Sequence, residues 1–259
     1  MSDETDPLAE TEPEKQRGLP DGDHTTVDRD GNVVTSFSLV KGKLHGEFRR
    51  FENGVLTQLS HFVNGVLNGP SETYVEGKIV QRVPYLNGQL HGDLEIFADD
   101  GETVVQRIPH VDGRKHGTAE IYDKGRLQVV IDYLDDLQEG PLVTYSPTKR
   151  PQARLHFSKG KKHGPAFYYD PDGKLVKRET YEEGRLHGPA ADLLPNGVTV
   201  KTMVYENDLL SGRVLEYDHK GKEVHRQTFA EGEPACPKQE KTRFGWKDVE
   251  EKPPEEEPT

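Results

Sequence analysis

A five-residue segment, GKLHG at residues 42–46, returns along the chain as GVLNG, GQLHG, GRKHG, GKKHG and GRLHG. The first positions of these segments and their variants are Gly42, Gly65, Gly88, Gly113, Asp136, Gly160, Gly184, Asp208 and Gly232, spaced 23 to 25 residues apart. Self-similarity at so short a period constrains the fold more than any local propensity. A unit of this size cannot bury an apolar face alone, so it must stack on its neighbours. Eight full units run from 42 to 231.

The second glycine of the segment is the most regular feature, at Gly46, Gly69, Gly92, Gly117, Gly140, Gly164, Gly188 and Gly212. A glycine kept in every unit marks a backbone that needs positive φ or the close approach of a neighbour. The residue before it varies: His45, His91, His116, His163 and His187 in five units, Asn68, Glu139 and Ser211 in the others. The imidazole is therefore optional to the geometry. Five residues after the glycine stands a ring in seven units (Phe51, Tyr74, Phe97, Tyr122, Tyr145, Tyr169, Tyr217), with Leu193 in the eighth. A second column, Phe62, Tyr85, His110, Tyr133, Phe157, Tyr181, Tyr205 and Phe229, comes three residues before each new unit.

Between the two columns lie further turns such as ENG (52–54), DKG (123–125) and PNG (195–197). Asn-Gly and Asp-Gly favour the positive φ of tight hairpins, so each unit reads as two short antiparallel strands. The predicted fold is all-β: an elongated single-sheet solenoid of about eight stacked β-hairpin repeats. Sixteen strands at about 4.8 Å spacing would extend on the order of 75 Å. The ring columns are expected to pack along its length. Residues 31–40 (GNVVTSFSLV) read as the second strand of an incomplete first unit that caps the array, with Phe244 and Trp246 closing the other end. In the fifth unit SPTKRP (146–151) takes the place of the hairpin glycine, and its prolines fit a longer or irregular connection.

Only 32% of the 259 residues are hydrophobic, and Gly and Pro together make 44 of them, so a thick core is not expected. The net charge of −12 sits in the ends: −7 in residues 1–30 and −4 in 231–259, which leaves the middle near neutral. These acidic, Pro-containing ends bury too little to offset their ordering entropy. The expected organisation is a disordered tail over 1–27, the repeat array over 28–235 and a second tail over 236–259. A near-neutral array lacks the basic footprint for nucleic acid and disfavours anionic membrane. No stretch approaches the roughly 20 apolar residues of a membrane-spanning helix, and the N-terminus has no signal-peptide pattern, so the expected location is the cytoplasm. Cys236 is the single cysteine; it is expected to be a buried or inert thiol and leaves no thiolate cluster for zinc.

The G-x-x-H-G turn, the ring five residues on, the Asn-Gly or Asp-Gly turn and the period near 24 resemble the MORN-repeat variant of bacterial YwqK-like proteins, over residues 28–235. That family is named for a presumed antitoxin, and MORN arrays elsewhere are scaffolds. The resemblance thus implies binding by an extended surface: an antitoxin, an immunity protein or an escort that occludes a toxin or secreted effector. The alternative it implies is a structural scaffold or membrane-peripheral organiser.

Two columns are candidates for function. Histidines in successive units are two strands, about 10 Å, apart, too far to share a zinc whose nitrogen ligands stand at about 2.0–2.1 Å. They read as turn residues, and neither a metal nor a cofactor is expected. Arg82, Arg107, Arg154, Arg178 and Arg226 stand six residues before a new unit, on the face opposite the late ring column. They either pair with Glu72, Glu95 and Glu120 or form a ladder of planar donors for the carboxylates of a protein partner. No nucleophile elbow or phosphate loop is present, so the chain is not expected to be an enzyme.

Overall fold

A computed structural model of the protein describes residues 18–249, and these form strands and turns without a helix. The chain divides into two compact units, the first ending at Lys115 and the second beginning at His116. Inside each unit, strands follow one another in sequence and pair antiparallel with the strands before and after them, as the hairpin repeat predicts.

Each segment of the GKLHG type divides into a turn and the start of a strand. The turn is the dipeptide Lys41-Gly42 (φ 53° and 68°), and the same pair of positive φ values recurs at Asn64-Gly65 and Glu183-Gly184. These are the two central residues of a hairpin whose twist matches its strands. At Asp135-Asp136 and Asn207-Asp208 an aspartate takes the glycine's place at φ 71° and 73°. Successive turns are tied together. The Gly65 N–H donates to the Leu44 carbonyl at 2.7 Å, Gly88 to Leu67 at 2.8 Å and Gly184 to Lys162 at 2.8 Å. The recurring segment is the stitch between consecutive hairpins.

The second glycine is explained by conformation. Gly69 has φ 120°, where a Cβ would also lie 3.0 Å from the His61 Cβ. In all eight repeats the residue paired across from this glycine is the late column's: Gly46 with Phe62, Gly92 with His110, Gly164 with Tyr181, Gly212 with Phe229. The third position of the next segment borders the same side chain, as Leu67 does Phe62 and Leu186 does Tyr181.

The other turn of each hairpin sets the period. Two-residue turns at 53–54, 76–77 and 124–125 give units of 23 residues. One added residue, as in the turns closed from Asp170 N–H to Lys174 carbonyl and from Asp218 to Lys222, gives 24; two, closed from Ala98 to Thr103, give 25. The SPTKRP connection is of the middle kind, closed from Ser146 to Arg150 with Lys149 at φ 64°, and the strands around it pair in the ordinary register. Beside every such turn the second strand carries one extra residue, Thr57, Val80 and Val105 in the first unit and Gln128, Val176 and Val200 among those of the second. A bulge repeated at one place bends each hairpin alike, which lets an open sheet bury one of its faces.

The buried row on that face runs through Phe37, Phe48, Ser60, Ser71 and Val83 in the first unit. In the second it passes Ala166 and Glu179, then Ala190 and Met203. Small clusters hold each unit: Phe37, Leu39 and Leu44 with Phe48 and Phe62, and Ala190, Met203 and Val214 with Tyr205, Leu210 and Phe229. Ring-to-ring contact runs through His24, Phe37, Phe48 and Phe62, whereas the two ring columns lie on opposite faces. Ser60 and Ser71 are buried and share a 2.7 Å hydrogen bond. Ser71→Ala takes one partner from the Ser60 hydroxyl and is expected to cost about 1–3 kcal/mol. Ser60→Ala/Ser71→Ala together is expected to cost less than that single change, measured by urea denaturation.

Several expectations are corrected at the ends. The array is longer than 28–235: Gly22–Val27 pairs with Val33–Val40, so the first cap is a whole hairpin, and Gln239–Thr242 pairs with Gly245–Asp248. The tails assigned to 1–27 and 236–259 therefore begin too deep in the array. Strand pairing supplies the backbone bonds that tail composition does not predict. Their outer parts, 1–17 and 250–259, lie outside the described residues. Phe244 sits at a hairpin tip, 95% exposed, and closes nothing, whereas the Trp246 ring lies against Arg226. Cys236 is exposed rather than buried, because it lies in the connection before the last hairpin.

Candidate interaction faces

The arginine column occupies the face opposite the buried row, as alternation predicts, but its members have different neighbours. In the first unit direct pairing runs Leu59, Glu72, Arg82, Glu95, Arg107. Arg82 Nε donates to Glu72 at 2.8 Å and Nη1 to Glu95 at 3.1 Å, with the guanidinium 5.4 Å from the Phe97 ring. Arg107 Nη2 donates to Glu95 at 3.4 Å and Nε lies 3.8 Å from Asp93. Burial opposes ionisation of Glu72, yet hydrogen bonds from Tyr74 and Arg82 outweigh it and hold its carboxyl below the usual range. Burial, and the bond donated to Glu72, push the Tyr74 phenol up to about 12. Arg82 and Arg107 are thus spent on internal partners.

In the second unit the same row reads Val143, Arg154, Phe167, Arg178, Ala191. Arg154 and Arg178 are exposed, and among the described residues neither makes an ion pair or a side-chain hydrogen bond. Arg226, further along, donates from Nε to Gln239 at 2.9 Å and stacks 4.1 Å from the Trp246 ring centroid. An open cleft beside it is lined by Arg213, Gln227 and Cys236. The structure therefore divides the five candidates: three are engaged and two are not.

The carboxylates absent from this row stand on the opposite face. There direct pairing runs Lys177, Asp192, Lys201, Glu216, His225, Glu240, an alternation of sign that sequence reading missed. Its signal is the residue just before the arginine column, Gln81 and Gln106 early but Lys177, Lys201 and His225 late. Lys238 donates to Glu216 at 2.8 Å, and His225 lies 3.2 Å from it. Glu179, 7% exposed, takes Lys177 at 2.6 Å and the Tyr181 hydroxyl at 2.8 Å. Burial disfavours its charge, and those two contacts outweigh the penalty, so its carboxyl stays below the ordinary range while burial drives the Tyr181 phenol upward.

The turn histidines face carboxylates of the following turn or of the preceding strand end: His91 lies 3.4 Å from Asp112 and His116 3.5 Å from Asp135, while His187 lies 3.5 Å from Glu182. Their backbone serves the turn without the ring. The N–H of His187 donates to Thr180, and that of Ser211 to Val204 in the same way. Among the described residues no group of three or more His, Cys, Asp or Glu could hold a metal ion.

The comparison with curated proteins found no match. Residues 162–183 match the family model described as MORN repeat variant. They run from the third position of one recurring segment to the turn residue before the next, 22 residues of a 24-residue period. The chain therefore carries a repeat of the MORN variant type.

Proposed function

We propose that this chain is a non-catalytic protein-binding repeat protein that neutralises or escorts one partner, as a bacterial cytoplasmic antitoxin, immunity protein or effector escort of the YwqK-like kind would. The observation that supports this reading is the unequal use of the two faces. One face of each unit carries the buried row, flanked in the second unit by the charged run from Lys177 to Glu240, while the other holds charged, aromatic and aliphatic side chains at the fixed spacing of paired strands. Such a surface grips by area, and its mechanism is occlusion of the partner's active surface.

The test is co-expression with the product of a neighbouring gene, followed by size-exclusion chromatography and a growth assay. A stoichiometric complex that relieves toxicity is the expected result. Flotation of the purified protein with anionic liposomes, in the absence of any such complex, would replace this reading with that of a membrane-peripheral organiser.

A further inference from the structure

The two arginines without internal partners have a structural setting that names what they would hold. The row that runs by direct pairing from Val130 to Arg226 contains no carboxylate. Arg154 and Arg178 pair directly with Phe167 from either side, so two arginine positions flank one ring position, their backbones two strand spacings or about 10 Å apart. The equivalent arginine of the first unit, Arg82, sits between Glu72 and Glu95. The same repeat position is internally neutralised in one unit and left positive in the other.

Other acids of the second unit do not reach these groups. Glu179 and Glu216 project to the opposite face and hold Lys177 and Lys238. Carboxylates that share the arginine face have nearer partners: Glu120 accepts from the Tyr122 hydroxyl at 2.7 Å, Asp132 from Thr118 at 2.6 Å and Asp248 from the Gln239 amide at 2.9 Å, while Glu182 lies 3.5 Å from His187. Glu120 stands three strands from Arg154 along the row.

We propose that Arg154, Phe167 and Arg178 form a docking strip for an acidic segment of a protein partner. The arginines donate paired N–H groups to its carboxylates and Phe167 seats an apolar side chain between them. Planar guanidinium forks suit carboxylates, and an exposed pair flanking an apolar ring supplies both charge and contact area. This rests on the protein-binding reading above and specifies its partner's chemistry.

The experiment is fluorescence anisotropy with a labelled synthetic peptide of alternating Glu and Leu, using the full chain. Arg154→Gln/Arg178→Gln is expected to weaken binding at least about tenfold. Arg82→Gln/Arg107→Gln is expected to change it less than twofold. The wild-type affinity should fall as salt rises, and the peptide with Gln for Glu should bind at least tenfold more weakly. Both variants change half-exposed or exposed side chains, and circular dichroism checks that each is folded.

No binding of the acidic peptide by the wild type, equal binding by the Arg154/Arg178 variant, or tighter binding of a DNA oligonucleotide would each overturn the strip. So would an affinity that rises when residues 250–259 are deleted, which would make the chain's own acidic segment the occupant. Failure of the strip is distinguishable from failure of the broader reading. A partner recovered by co-expression that binds the Arg154/Arg178 variant as well as wild type removes only the strip, whereas a chain that forms no complex removes the binding function.

Discussion

Leu39→Ala is expected to destabilise the first unit by about 2–5 kcal/mol, the range for emptying a buried leucine site. Leu39 is 1% exposed and is the largest apolar side chain so completely covered. It pairs with Leu44 across one strand boundary and belongs to the cluster with Phe37, Phe48 and Phe62. In a stacked array each hairpin is held by its neighbours, so a hole at the end of the stack is repaired from one side only. Hydrogen exchange should show protection falling first in Val33–Val40 and Lys43–Glu52. Val75→Ala, at a site 56% exposed, should cost no more than about 0.5 kcal/mol. Equal urea midpoints for the two variants would show that the Leu39 cluster does not hold this end.

Gly69→Ala should cost about 2–4 kcal/mol, combining a strained backbone with a steric contact. At φ 120° an L-residue is outside its ordinary conformations, and the new methyl would stand 3.0 Å from the His61 Cβ in an antiparallel neighbour. The comparison is Gly54→Ala, at φ 77° in a hairpin turn with no atom within 4 Å of the new methyl. That change carries the left-handed penalty alone, about 1–2 kcal/mol. Denaturation curves for the two should rank Gly69→Ala as the more damaging, and a reversed order would mean that the kept glycine answers to something other than its backbone.

These two positions differ in how they could be read from sequence. Gly69 belongs to a column present in all eight units, so its demand on the backbone was legible, although its pairing with Tyr85 was not. Leu39 holds the late-column place three residues before Gly42, but it is aliphatic where the eight full units carry a ring, so the column did not reveal how completely it is covered. The tail boundaries at 27 and 236 failed because Gly22–Val27 and Gln239–Thr242 are strands of the two end hairpins whose own sequences follow no column. The bulges were hidden because one extra residue leaves the period unchanged when every unit has it.

The arginine column shows where legibility stopped. Its position and face followed from alternation, but Arg82 and Arg178 occupy the same repeat position and differ only in what stands across the ladder. Glu72 and Glu95 flank the first, Phe167 and Ala191 the second.

The amino-acid order alone determined the hairpin repeat, its period and the need for glycine in each unit, because local backbone preferences and a periodicity of two are written residue by residue. The folded arrangement decided which arginines are neutralised, which face is buried and where the array ends. Those properties depend on cross-strand register, which brings together residues 9 to 22 positions apart whose pairing no single repeat encodes.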